Sequence, residues 1–246
     1  KISSSESKNE VLNLHSGAIQ VENKLSLKAR LCWFSMVFKA MPDMNNQDIF
    51  TITIGDLKKS IDYKNTNNKD FKNILEELRD TKIEWNIFEK NEPSWGWDHL
   101  LSGCRVRLNS NVIEYSFSPF LKEKLVNPEM YAKINLLISK NFKSKHSLAI
   151  YCLALDYLFI KENYGEKNIS LEDMRKFLGL EDSEYIKPSD LNFWVIQKAV
   201  LDINQDSDMN LSVEIKRGER NKIIAFKLKM SIKDEYLESY KKQKLP

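Results

Sequence analysis

Two stretches, Ile52–Tyr63 (ITIGDLKKSIDY) and Ile169–Leu180 (ISLEDMRKFLGL), align without a gap, and their match decides the fold. Apolar residues coincide at the first, third, sixth, tenth and twelfth positions. Asp56 stands over Asp173, Lys58 over Arg175 and Lys59 over Lys176. In each copy a longer helical pattern follows after a short loop, and β-structure follows that. A unit that recurs at this distance is one supersecondary arrangement used twice.

Working outward from the first copy, KLSLKARLCWFSMVFKAM reads as a helix with Ser26 at its N-cap and Pro42 just past its end. After the short helix, NNKDFKNILEELRD places Phe71, Ile74, Leu75 and Leu78 at helical spacing. TKIEWNIFEK, HLLSGCRVRL and VIEYSFS read as strands, the last two joined by the turn-rich Asn109-Ser110-Asn111. Ser118 and Pro119 open a short helix, SPFLKEKL.

The second half repeats this order. SKHSLAIYCLALDYLFIKE is a long apolar-striped helix, the second copy of the motif is a short one, and Ser189–Asn204 reads as a capped third helix. NLSVEIKRGERNKIIAFKLKM alternates apolar and charged residues on both sides of Arg217-Gly218-Glu219-Arg220, a hairpin signature. Helix, short helix, longer helix and hairpin is the order of a winged helix-turn-helix. The expected fold class is therefore α+β, with two tandem winged helix-turn-helix domains related by an internal repeat. The boundary is expected near Asn127-Pro128, giving domains 1–126 and 127–246, with about the first twelve residues disordered. In this fold the third helix packs one face on its neighbours and offers the other to the major groove, while the hairpin tracks the DNA backbone.

The third helix of the second half poses a question. At about 100° per residue, Val195, Ile196, Ala199, Val200 and Ile203 share one arc. Trp194 falls nearly opposite, beside Gln197, Lys198 and Leu201, and next to Phe193. One placement turns this side toward DNA. The other packs Trp194 beneath the hairpin or against the first domain.

At 246 residues the chain is long enough for two small domains or one large one. Hydrophobic residues make up 42% and charged residues 30%, ordinary for a globular protein. The net charge of +3 permits nucleic-acid binding without announcing it, so the arrangement of charge has to decide. Three cysteines, Cys32, Cys104 and Cys152, lie far apart without metal spacing, which points to buried thiols in a reducing compartment. No apolar run reaches membrane-spanning length and no signal peptide is visible. The chain begins at Lys1 without methionine, so its natural start is expected to lie further upstream.

Catalytic signals are absent. There is no G-x-x-x-x-G-K-[ST] for nucleotide phosphates. His15, His99 and His146 are too widely spaced for a histidine metal pair, which argues against a metal-dependent nickase acting through a tyrosine. No enzyme activity, cofactor or metal is expected.

Basic clusters carry more. The hairpin holds Lys216, Arg217, Arg220, Lys222, Lys227 and Lys229 against Glu214 and Glu219, with most of the excess near its tip. Lys140, Lys143, Lys145 and His146 gather at the start of a helix, whose free N–H groups also attract phosphate. Lys64, Asn67, Asn68, Lys69 and Lys72 surround the start of the first domain's third helix. With Ser189, Asn192, Phe193, Trp194, Gln197 and Lys198, these are the candidate DNA-binding residues.

The chain resembles the iteron-binding, theta-type plasmid replication initiators, the family that includes the initiator of the F plasmid. The resemblance is carried by EWNIFEK (Glu84–Lys90), FSPFLKEKLVNPEMYAKINL (Phe117–Leu136), FKSKHSLAIYCLALDY (Phe142–Tyr157) and DLNFWVIQKAVLDIN (Asp190–Asn204). It implies two winged-helix domains that grip one origin repeat, binding of direct repeats as a monomer, and autorepression as a dimer joined through the first domain. It further implies help in opening the origin, recruitment of the host initiator and replicative helicase, and a place in the bacterial cytoplasm on nucleoid or plasmid. Many relatives carry a basic residue at one or both positions after the match to Leu191-Asn192. Here Phe193 and Trp194 stand there, so base preference does not carry over. A tandem winged-helix transcription regulator without an origin role is the alternative.

Overall fold

The computed structural model describes residues 11–15, 24–64, 68–88, 93–126 and 131–242. The chain divides into two compact units, one holding Leu25–Leu136 together with the strand Val11–His15, the other beginning at Leu137. Asn127 and Pro128 lie outside the described residues.

In the first unit the elements run β1 (Val11–His15), α1 (Leu27–Ala40), β2 (Phe50–Thr53), α2 (Ile54–Ser60), α3 (Asn68–Asp80), β3 (Lys82–Phe88), β4 (Pro93–His99), β5 (Gly103–Arg107), β6 (Val112–Ser116), α4 (Pro119–Val126) and β7 (Tyr131–Asn135). The second unit follows with α5 (Leu136–Ser139, straddling the division), α6 (Lys145–Asp156), β8 (Leu158–Phe159), β9 (Tyr164–Ser170) and α7 (Leu171–Phe177). Next come α8 (188–206), β10 (Met209–Arg217), β11 (Ile223–Ile232) and α9 (Asp234–Lys242).

Both units have the same topology. In the first, the sheet order is β2-β6-β5; in the second it is β10-β11-β9-β8, so that β9-β11-β10 reproduces it. Each sheet joins the strand before the short helix to the returning strand of a hairpin that follows the third helix. This is the winged-helix arrangement expected from the repeat. The first unit adds the hairpin β3–β4 between its third helix and its wing, and the second adds β8 outside β9.

The repeat is reproduced down to single hydrogen bonds. Thr53 Oγ1 accepts from the Asp56 N–H at 3.0 Å, and Ser170 Oγ accepts from the Asp173 N–H at 3.0 Å. Each hydroxyl satisfies one orphan N–H at the start of its helix. The helices also end alike. Asp62 and Gly179 take left-handed φ values of 47° and 63°. The Tyr63 N–H reaches the Lys58 carbonyl at 2.9 Å and the Leu180 N–H reaches the Arg175 carbonyl at 3.1 Å. The Asp62 and Gly179 N–H groups close the inner bonds to Lys59 and Lys176. This is the paired Schellman bonding that uses up the last carbonyls of a helix. Between cap and stop, Leu57 and Met174 are fully buried, as are Ile61 and Leu178.

The predicted helices α1 and α4 form with Ser26 and Ser118 bonded to the N–H of Ala29 and Leu121, at 3.2 and 3.1 Å. On α3 the four expected apolar residues, Phe71, Ile74, Leu75 and Leu78, are all buried. Other expectations are corrected. The long helix of the second half ends at Asp156 rather than running on to Glu162, because Tyr157 leads directly into β8. Val11 and Leu12, expected in a disordered leader, belong to β1, which pairs antiparallel with β7 and buries Leu12 and Leu14. Residues 1–10 lie outside the described residues.

In the second unit α9 is latched to the core. The buried Asp208 carboxylate accepts from the hydroxyl of Tyr151 on α6 at 2.9 Å and from that of Tyr240 on α9 at 2.6 Å. Burial raises its carboxyl above the usual range, against the lowering effect of the two hydroxyls.

The two helix stops share their bonding but place different residues, Asp62 and Gly179, at the left-handed position. Gly179→Ala places a Cβ in the left-handed region and is expected to cost about 1–2 kcal/mol of second-unit stability. Asp62→Gly is expected to leave the first unit equally stable or to gain a few tenths of a kcal/mol, roughly. Urea unfolding of the two variants measures both, and equal, small effects would contradict the shared capping geometry.

Candidate nucleic-acid interface

Helix α8 is built in three contiguous stretches: Pro188–Leu191, a π turn at Asn192–Ile196, and Gln197–Asp206. It begins with Lys187 at the N-cap and Pro188 in the first turn, so Ser189 lies exposed inside the helix. At the π turn the Gln197 N–H bonds the Asn192 carbonyl, five residues back. The side chains repeat the link, with Gln197 Nε2 donating to Asn192 Oδ1 at 3.3 Å.

One side of the helix is core. Leu191, Val195, Ile196, Ala199 and Ile203 are all at or below 3% exposure. The opposite side is open: Phe193 is 60% exposed, Trp194 52% and Leu201 67%. Trp194 therefore does not pack beneath the hairpin. Its ring meets that of Phe193 edge to face, with centroids 4.8 Å apart and planes at 90°. Lys198 Nζ stands 5.1 Å from the indole centroid.

Three side chains fix the orientation of α8 within its unit. Ser147 on α6 donates to Asp202 Oδ2 at 2.6 Å, and Asn141 Nδ2 donates to the Asp206 carbonyl at 3.2 Å. Asn204 bonds both backbone groups of Leu211 on β10, donating to its carbonyl at 2.8 Å and accepting from its N–H at 2.7 Å. That pair ties the third helix to the first strand of the wing.

The wing's base is core and its tip is not. Phe226, Leu228, Met230 and Ile232 alternate inward along β11, with Met209 and Leu211 opposite on β10. Beyond them the register shifts between Lys216 and Arg217, and the tip turns through Arg220 and Asn221, both left-handed. Arg217 Nη1 donates to the Asn221 carbonyl at 2.9 Å and holds the tip closed. Lys227 and Lys229 pair with Glu166 and Glu214 at 2.9 and 2.5 Å. Lys216, Arg217, Arg220 and Lys222 are exposed, and among the described residues none has an acidic partner at ion-pair distance.

The other predicted residues are less well placed to offer free charge. At the start of α6, Ser144 Oγ already accepts from the N–H groups of His146 and Ser147 at 3.2 and 3.4 Å. Those two amides are therefore occupied. Burial, with Lys145 adding to it, pushes the His146 imidazole down to about 4. It is neutral near pH 7, and its buried Nδ1 has no hydrogen-bond partner among the described residues. Lys143 is exposed, while Lys140 and Lys145 are half-buried. In the first unit, Lys64 pairs with Asp62 and Lys72 with Glu76, both at 3.5 Å. Asn68 and Lys69 open α3, and Asn67 lies outside the described residues.

Two arginines escaped the sequence reading. Arg105 and Arg107 project from β5, the outer strand of the first unit's wing, and share the carboxylate of Glu114 at 2.5 and 2.6 Å. The guanidiniums of Arg107 and Arg105 hold that carboxyl below its usual range. Two cations on one anion leave a net positive charge on this wing. The available signal was the spacing of two residues, which puts both on one face of a strand. Among the described residues no group of three or more histidine, cysteine or acidic side chains could hold a metal, and no helix is long and apolar enough to cross a membrane.

Residues 12–155 match the family model described as Initiator Replication protein, WH1, and residues 170–230 match that of Initiator Rep protein, WH2. No curated protein matches the chain in sequence. Among solved structures it is similar to the Pi initiator protein in complex with iteron DNA, with a TM-score of 0.71 at 14% identity, covering 92% of this chain and 99% of that one. It is also similar to domains 2 and 3 of RctB, with a TM-score of 0.52 at 9% identity, covering 84% and 82%. At these identities the likeness is one of fold.

Proposed function

The chain belongs to the initiator replication protein family, and we propose that, as such, it starts plasmid replication by binding direct repeats, iterons, in duplex origin DNA. The observation that carries this reading is the pairing of two open surfaces in one compact unit. The outer face of α8 presents Phe193, Trp194, Gln197 and Lys198, and the wing tip presents four cations with no acidic partner among the described residues. A third helix in the major groove with a basic wing on the backbone is how this fold meets DNA. The Pi initiator, whose fold the chain shares, is complexed with iteron DNA, which supports the same use here. The role is binding, not catalysis.

Phosphate contacts from Lys143, Lys145 and the first unit's Lys64, Lys69, Lys72, Arg105 and Arg107 fit this reading as additional anchors. An exposed ion pair is worth at most about 1 kcal/mol, so a phosphate can replace Asp62 or Glu76 as the partner, while Arg105 and Arg107 carry one more charge than Glu114 neutralises. The proposal extends to two domains, 1–126 and 127–246, that grip one repeat together. It also extends to a dimer formed through the first, which represses the chain's own promoter, and to recruitment of the host initiator and helicase. These rest on the family, as does a bacterial cytoplasmic location on the plasmid.

Two measurements test this. Arg217→Ala with Arg220→Ala is expected to weaken binding to specific and random duplex alike. It should flatten the log–log salt dependence by roughly 0.9 per lost phosphate contact. An unchanged slope in the folded double variant removes the wing from the interface. For the dimer, residues 127–246 are expected to sediment as a monomer under conditions where the full chain dimerises. A fragment that dimerises as tightly as the full chain overturns that assignment.

A further inference from the structure

We propose that Phe193 and Trp194 form a reader of thymine 5-methyl groups in the major groove, an inference that rests on the duplex-binding reading above. The pair sits on the outer face of the third helix, more than half exposed, as is Leu201 on the same helix. Its geometry is set before DNA arrives. The edge-to-face contact at 4.8 Å braces each ring against the other, Lys198 stands over the indole, and the π turn is closed by two Asn192–Gln197 bonds. A braced pair loses little side-chain freedom on binding, so its contact area converts efficiently into affinity.

The chemistry of the rings narrows what they can read. A phenyl ring offers neither donor nor acceptor. The indole offers a single N–H donor and no acceptor, so neither side chain can form the two-bond contacts by which arginine selects guanine or asparagine selects adenine. The base edges of the major groove carry one apolar group, the thymine C5 methyl. An apolar surface placed there gains only where that methyl is present. Stacking on unpaired bases is the competing use of exposed aromatic rings. In that use successive bases lie flat on ring faces, whereas these two rings stand at 90° to one another, so bases stacked on both could not lie parallel.

The test uses the full chain and a duplex site selected by it from random-sequence duplexes. Each thymidine in the selected site is replaced in turn by deoxyuridine, which removes the methyl and leaves every hydrogen-bonding group. At one or two adjacent positions affinity is expected to fall about fourfold per methyl, the value of burying one such group. In Trp194→Ala or Phe193→Ala the same replacement at those positions is expected to cost nothing. Trp194→Ala should melt like the parent, because the ring lies outside the core. Should a variant melt much lower, the deoxyuridine scan on the unaltered chain still decides. If affinity is indifferent to deoxyuridine at every position, the methyl reader is overturned and the duplex-binding reading stands. If no sequence is selected, both fail. If the variants lose binding to a thymidine-rich single strand while the duplex scan is flat, the pair serves unpaired bases instead.

Discussion

One face of α8 is withdrawn from water, and the rest of the second unit's surface follows from that. Val195, Ile196 and Leu191 each gain about 1.5–3 kcal/mol from full burial. A substitution on an exposed face usually changes stability by no more than about 0.5 kcal/mol. Rolling the helix to bury Trp194 would expose several of the core residues to gain one. The comparison is lopsided, so the aromatic pair is left outside because the other side of the helix is worth more inside. Ser147 on Asp202 and Asn204 on Leu211 then lock the angle at which that outer face and the wing are presented.

Charge follows a similar division. Counted along the sequence, the wing is a basic hairpin throughout. In three dimensions Lys227 and Lys229 lie near its base with carboxylates beside them, whereas the cations at 216, 217, 220 and 222 crowd the tip. The excess positive charge therefore sits where the hairpin has left the core. The start of α6 shows the reverse. Its cations looked equally suited to phosphate, yet Ser144 caps two of its amides and His146 is uncharged.

Much of this fold could be read before any coordinates. The repeat gave both winged-helix domains, because caps, apolar spacing and the charged pair of each short helix recur at matching positions. What escaped has physical reasons. Strand β4, PSWGWDH, carries Pro93 and Gly96, and β9, YGEKNIS, is largely polar, so neither shows strong β preference on its own. They exist because a partner strand supplies their hydrogen bonds. The π turn is invisible to a helical wheel, since Leu191, Val195 and Ala199 keep helical spacing across it. The left-handed Asp62 gives no sequence signal as clear as the glycine at 179. For the candidate interface, the wheel separated inner from outer residues on α8, but which cations have local partners depends on cross-strand register.

We propose that the outer face of α8 and the wing tip together form the DNA-binding surface. The β8–β9 turn provides an internal control. Antiparallel register pairs Ala225 with Ser170 and Met230 with Gly165, which puts that turn at the other end of the sheet from the tip. Lys161 is exposed there. The most direct measurement is lysine acetylation of the full chain, read residue by residue by mass spectrometry, with and without saturating duplex. Protection of Lys198, Lys216 and Lys222 with Lys161 unchanged is the predicted result. Equal labelling of those three with and without DNA, or protection centred on Lys161, would contradict it.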